Sequence, residues 1–156
     1  MKNSTLIFFL LLGYLRSESL LQLENGKIQN YEGQIVNLKG CNIGNWLQLE
    51  MWMLGYADKG YADQYEFIKT LEDRFGKQGA EDLMDIYRSN WIKNSDFDII
   101  KSFGMNTVRL PFDYKLLMDS DEKPFRLKDD AWEWLDQAIA MAKKRDMYVI
   151  LDMHGA

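Results

Sequence analysis

Four side chains that could hold a polar ligand follow three short apolar runs: Glu50, Arg109, Asp152 and His154. Arg109 stands between Val108 and Leu110. In a strand, alternation turns those two toward one layer and the guanidinium toward the other, where it needs an anion. Asp113 and Asp152 are the structural candidates for that anion. His154 is two positions past Asp152 and four past Ile150, so both polar groups can face one opening. A histidine satisfied within the fold and a core ion pair are the plainer readings of these two. Glu50 reads either as a carboxylate accepting from two hydroxyls or as a solvated loop acid. Trp46 and Trp52 flank it, offering flat faces that stack on a ligand or fill a core. With one histidine and one cysteine, neither a histidine-rich zinc site nor a disulfide framework is available. No metal or cofactor is expected, and organic side chains must carry any chemistry.

The chain that positions these residues has 156 residues, 47% hydrophobic and 28% charged, an ordinary composition for one globular domain. Its net charge of -5 is spread without basic runs, which argues against nucleic acid or anionic lipid as partners. Residues 1–19 read as a secretory signal: Lys2, an apolar run over 6–12, then Ser17-Glu18-Ser19 with cleavage after Ser19. The run falls short of the roughly 20 apolar residues that span a bilayer, so no stable membrane anchor is expected. The mature part, residues 20–156, is expected to be extracellular. Asn3 begins the only glycosylation sequon and would leave with the signal. Cys41 is expected as a small buried strand residue, with an intermolecular disulfide as the alternative. The sequence carries no signal for oligomeric state.

Extended and helical stretches then alternate without repeat or linker. Residues 27–30 and 34–38 flank Tyr31-Glu32-Gly33 and suggest a short β-hairpin leading into a buried strand over 38–42. A helix over 63–75 keeps Tyr65, Ile68, Leu71 and Phe75 on one face and ends at Gly76; another over 80–92 aligns Leu83, Met84, Tyr87 and Trp91. A short helix from about Ser95 to Gly104 would bury Phe97, Ile100 and Phe103 before a strand over 107–111. A helix over 131–145 has Asp130 as N-cap with Glu133 completing a capping box, and packs Leu135, Ala138, Ile139 and Ala142. Trp132 and Trp134 on it are expected in the core. The strand over 148–152 follows, with Val149-Ile150-Leu151 covered on both faces. This order predicts an α/β fold with a parallel sheet and right-handed crossovers, open between barrel and doubly wound forms.

At the strand ends stand Gly40-Cys41-Asn42-Ile43-Gly44-Asn45-Trp46-Leu47-Gln48-Leu49-Glu50, then Asn106-Thr107-Val108-Arg109-Leu110-Pro111-Phe112, then Leu151-Asp152-Met153-His154-Gly155-Ala156. In order and spacing these resemble glycoside hydrolase family 5, particularly members similar to exo-β-1,3-glucanases, over about residues 33–156. Two positions depart: Asn45 stands where close relatives often have glycine, and Cys41 where a small apolar residue is more usual.

The resemblance implies the N-terminal part of a (β/α)8 barrel, about three of its eight strands, belonging to a retaining glycosidase that hydrolyses β-glucan. It implies that Arg109 orients the nucleophilic glutamate, that His154 bonds the sugar beside the scissile link, and that Glu50 grips hydroxyls of a terminal sugar. Asp152 would support them, and Trp46 and Trp52 would stack on sugar faces. Glu50, Arg109 and His154 should then converge on one pocket. Both catalytic glutamates are expected beyond Ala156, so residues 20–156 are an incomplete catalytic domain and expected to be inactive alone. The long 51–79 segment would either wall off one end of the cleft or simply pack below the barrel. A noncatalytic secreted glucan-binding protein is the second reading. A nucleotide-binding domain fits poorly, because Asn45-Trp46-Leu47 is too bulky for close phosphate approach.

Overall fold

The computed structural model describes residues 20–118 and 126–154; the expected signal with Asn3, and Gly155 and Ala156, lie outside the described residues. Two units separate, Met1–Asn37 and Leu38–Ala156. In the first, β1 (Gln22–Glu24) pairs antiparallel with β2 (Lys27–Gln29). Asn25 and Gly26 join them with φ of 51° and 73°, the left-handed pair that a two-residue type I′ turn requires. The turn expected at Tyr31-Glu32-Gly33 is a smaller loop, in which the Asn30 carboxamide accepts from the Glu32 and Gln34 amides at 3.1 and 2.9 Å. The expected pairing there forms over a short stretch: Gln29 bridges Ile35 in antiparallel fashion, and the Asn30 and Val36 amides donate to the Gln34 and Ile28 carbonyls at 3.0 and 2.8 Å.

The second unit begins with β3 (Gly40–Asn42), whose Gly40 leaves no room for a side chain: a Cβ there would stand 1.9 Å from the Thr107 carbonyl oxygen. Next, α1 (Gln64–Trp91) starts where the Asp63 carboxylate accepts from the Glu66 amide at 3.0 Å. Its two halves meet at Gly76, φ 74°, so the two expected helices form on either side of that glycine. Then α2 (Asn94–Ser102) is closed at its start by Asp96, which accepts from the Lys93 amide at 2.7 Å. After β4 (Thr107–Phe112) comes α3 (Glu133–Lys143) and finally β5 (Tyr148–Met153). The strands form a parallel sheet in the order β3-β4-β5.

Packing follows alternation where the strand is central. Val108 and Leu110 of β4 are fully buried among Phe97, Leu135, Ala138 and Ala142. At roughly 25 cal/mol per Å2 of apolar surface, that shared layer is the main cohesive term in this unit. A satellite cluster joins Leu49, Met51 and Met84 to Phe67, Ile68 and Leu71.

Several expectations fail at the periphery. Tyr65, Phe75, Leu83, Trp91, Phe103 and Ile139 are exposed, because each helix buries a narrower stripe than its apolar residues span. Helix α3 begins at Glu133 rather than 131, and Asp130 contributes its backbone carbonyl to the Glu133 amide, 2.9 Å, in place of a side-chain cap. Trp132 therefore lies ahead of the first turn and is exposed, whereas Trp134 packs on the core. Cover on both faces of β5 is not found: Ile150 and Leu151 are exposed, and among the described residues the strand has no neighbour on its outer edge.

Candidate functional site

Register places the polar residues before any side chain is considered. Asn42 of β3, Arg109 of β4 and Ile150 of β5 are directly paired across the sheet, and Pro111 pairs with Asp152. Side chains alternate, so Asn42, Arg109, Asp152 and His154 all project from one face, opposite Val108 and Leu110. Beyond β5, the His154 amide donates to the Phe112 carbonyl at 2.9 Å, carrying the ladder one step further and fixing where the imidazole starts.

Arg109 donates through Nη2 to Asp152 Oδ2 and through Nη1 to Asn42 Oδ1 at 3.4 Å. The anion it finds is thus Asp152. Asp113 is engaged elsewhere, accepting from the Lys115 amide at 2.8 Å. His154 Nδ1 lies 3.3 Å from Arg109 Nη2 and 3.1 Å from Asp152 Oδ2. A proton on Nδ1 would be donated to Asp152; without one, Nδ1 accepts from Arg109. Either tautomer leaves Nε2 without a partner among the described residues, on a ring that is about half exposed. The cluster can therefore present an imidazole nitrogen, and the remaining guanidinium N–H groups, to something above the sheet.

Glu50 belongs to a neighbouring cluster. Its carboxylate accepts from Trp52 Nε1 at 2.6 Å, and its Oε1 is 3.9 Å from where a Cβ on Gly44 would stand. No hydrogen bond or ion pair joins it to Arg109 or His154 among the described residues. The two clusters are linked through the chain, since Asn42, which bonds Arg109, is two residues from Gly44. Trp52 is 69% exposed and presents a broad open face.

Trp46 needs correction. It is 1% exposed, packed in the main core, and its indole N–H donates to the Arg88 carbonyl at 2.9 Å. A side chain already enclosed cannot stack on a ligand, so Trp46 is a core residue and the tryptophan available to one is Trp52. Cys41 is half-buried and unbridged, and desolvation raises its thiol above the usual range. No cluster suited to a metal occurs among the described residues.

Sequence reasoning missed Asn42 and Asn45. Asn42 is a strand residue whose value appears only when its pairing with Arg109 is known. Asn45 is 1% exposed with φ 56°, a backbone that explains why glycine would suit this position, and its carboxamide accepts from the Glu50 amide at 2.8 Å. A groove of about 700 Å3 lies on the helix side, lined by Leu49, Tyr65, Met84, Tyr114 and Lys115 among others; neither cluster lines it.

Comparison with known proteins adds an independent line. A family model described as cellulase (glycosyl hydrolase family 5) matches residues 66–156. Similar curated proteins include a β-xylosidase of Phanerodontia chrysosporium, 30% identical over 136 residues that make up 87% of this chain and 28% of that protein. A probable glucan 1,3-β-glucosidase A of Aspergillus clavatus is 34% identical over 140 residues, 88% of this chain and 32% of that one. The crystal structure of rutinosidase from Aspergillus niger shares the fold, with a TM-score of 0.60 at 23% identity over 75% of this chain and 32% of that chain. The chain spans about a third of the length of the curated relatives it matches.

Proposed function

The chain belongs to glycosyl hydrolase family 5, and on that footing we propose that it is the N-terminal part of a secreted, retaining β-glucan hydrolase built on a (β/α)8 barrel. The observation that carries this reading is the polar cluster of Asn42, Arg109, Asp152 and His154 on one face of adjacent parallel strands, with Asn42, Asp152 and His154 at or just past the C-terminal ends of β3 and β5. Barrel enzymes place their chemistry at that end.

On this reading each side chain has a task. Arg109 keeps guanidinium N–H groups beyond those given to Asp152 and Asn42, and these orient the nucleophilic carboxylate. His154 bonds a sugar hydroxyl through Nε2, while Asp152 fixes its ring and the arginine together. Glu50 accepts from two hydroxyls of a terminal sugar, and Trp52 stacks on its apolar face. Retention requires two carboxyl groups roughly 5–5.5 Å apart, one as nucleophile and one as acid/base. Neither Glu50 nor Asp152 is assigned to that pair. Residues 1–19 act as the secretion signal, and the substrate is a β-glucan or its oligosaccharides.

The test is laminarin hydrolysis by the full-length protein, followed by proton NMR. First appearance of the β-anomer of the released sugar supports the reading. Appearance of the α-anomer first, or saturable binding without any turnover, overturns it, the latter in favour of a noncatalytic glucan-binding protein.

A further inference from the structure

The loop that carries Glu50 is held from behind by two residues that touch no ligand position themselves. Asn45 is buried and left-handed at φ 56°, a conformation that costs a non-glycine residue free energy unless its side chain is used. Both the oxygen and the nitrogen of its carboxamide are bonded. Oδ1 accepts from the Glu50 amide at 2.8 Å, and Nδ2 donates to Tyr87 Oη at 3.1 Å. The Tyr87 hydroxyl in turn donates to the Asn45 carbonyl oxygen. Tyr87 stacks on Trp91, ring centroids 5.3 Å apart, and the Trp91 indole donates to the Gly44 carbonyl at 3.3 Å. One end of α1 thus grips residues 44 and 45, and Asn45 grips residue 50. From there the Glu50 carboxylate holds the Trp52 indole at 2.6 Å.

We propose that Asn45 and Tyr87 are positioning residues that fix where Glu50 and Trp52 meet a terminal glucosyl unit, and so set affinity for the chain end of a β-1,3-glucan. The inference rests on reading Glu50 as a hydroxyl-binding group. A carboxylate can accept from two hydroxyls together only if its backbone origin is fixed, and the Asn45 carboxamide supplies that tether. Burial pushes the Tyr87 phenol up to about 12, so its hydroxyl remains a donor throughout any ordinary working range. Because the clamp acts on binding in the ground state and transition state alike, its loss should raise KM and leave kcat nearly unchanged.

Four variants of the full-length protein test this on laminaritriose: Glu50→Gln, Asn45→Gly, Tyr87→Phe, and Asn45→Gly combined with Glu50→Gln. Glycine accepts the left-handed backbone without strain, so Asn45→Gly keeps the turn while removing the carboxamide, and phenylalanine keeps the ring on Trp91. Each single substitution is expected to raise KM about tenfold with kcat within about twofold, and the double variant to be no worse than Glu50→Gln alone. If Glu50→Gln leaves KM unchanged, the sugar-binding reading of Glu50 fails and the clamp with it. If Glu50→Gln raises KM but Asn45→Gly and Tyr87→Phe do not, or the double variant shows the two effects multiplied, the clamp alone is wrong.

Discussion

Replacing Arg109 by methionine removes the cation that Asp152, Asn42 and His154 share, and the cost can be worked from the geometry. Two unit charges at about 4 Å attract by roughly 4 kcal/mol at an effective dielectric near 20. The Arg109 and Asp152 side chains are 35% and 29% exposed, so water screens part of this. Fully exposed pairs are worth about 0–1 kcal/mol, whereas breaking a buried pair costs about 3–5. An intermediate site gives about 2 kcal/mol for Arg109→Met. Asp152→Asn should cost about 1 kcal/mol, since a neutral amide oxygen still accepts from the guanidinium while His154 stays nearby. The double variant should cost about 2 rather than 3 kcal/mol, because with both side chains neutral no charge is left without its partner, a coupling of about 1 kcal/mol. Urea unfolding of the full-length protein, followed by tryptophan fluorescence and extrapolated linearly, measures all three. Additivity to within about 0.3 kcal/mol would refute the shared-charge account, and with it the idea that Asp152 holds the arginine in place.

Three other outcomes follow from single positions. Phe97 is wholly enclosed between α2, β4 and α3, so Phe97→Ala should cost about 3–5 kcal/mol, read as a loss of urea midpoint. Trp52 is largely exposed; Trp52→Ala should leave stability within about 0.5 kcal/mol while weakening oligosaccharide binding about tenfold by calorimetry, and equal affinity would remove it from the site. The Tyr87 phenol is raised from 10.0 to about 12 by burial. The folded state therefore favours the neutral form, and the stability it contributes is complete below pH 10 and lost as pH rises toward 12. Discounted for the ring's partial exposure this is about 1 kcal/mol. Stability measured from about pH 9 to pH 12 should fall more steeply in the parent than in Tyr87→Phe, and parallel curves would exclude the effect.

How far the sequence carried the site depends on whether each signal was local. Arg109 was legible because Val108 and Leu110 are its own neighbours, and strand alternation alone separates the three; the structure buries the two aliphatic residues and pairs the guanidinium with Asp152, one of the two anions considered. His154 and Asp152 were legible for the same reason, two residues apart on one strand side. Trp46 was not, because a tryptophan in a loop carries no periodicity to say which way it faces; its direction is set by the Arg88 carbonyl, 42 residues away. Exposure of β5 was equally unreadable, since Val149-Ile150-Leu151 describes a strand suited to cover and says nothing of whether cover is present.

Asn45 shows the limit most sharply. From sequence it is a departure from a glycine pattern, with nothing local to say what the side chain does. Its left-handed backbone follows from the turn it sits in, but the use of its side chain depends on Tyr87, again 42 residues distant, and on Glu50, five residues on. A glycine would satisfy the backbone and lose all the carboxamide's bonds. The side chain is therefore better understood as an addition than as a tolerated substitution: it exchanges the conformational ease of glycine for a fixed link between α1 and the acid at residue 50. That exchange makes physical sense only where the position of Glu50 matters, which ties a fully enclosed amide to the most exposed part of the candidate site.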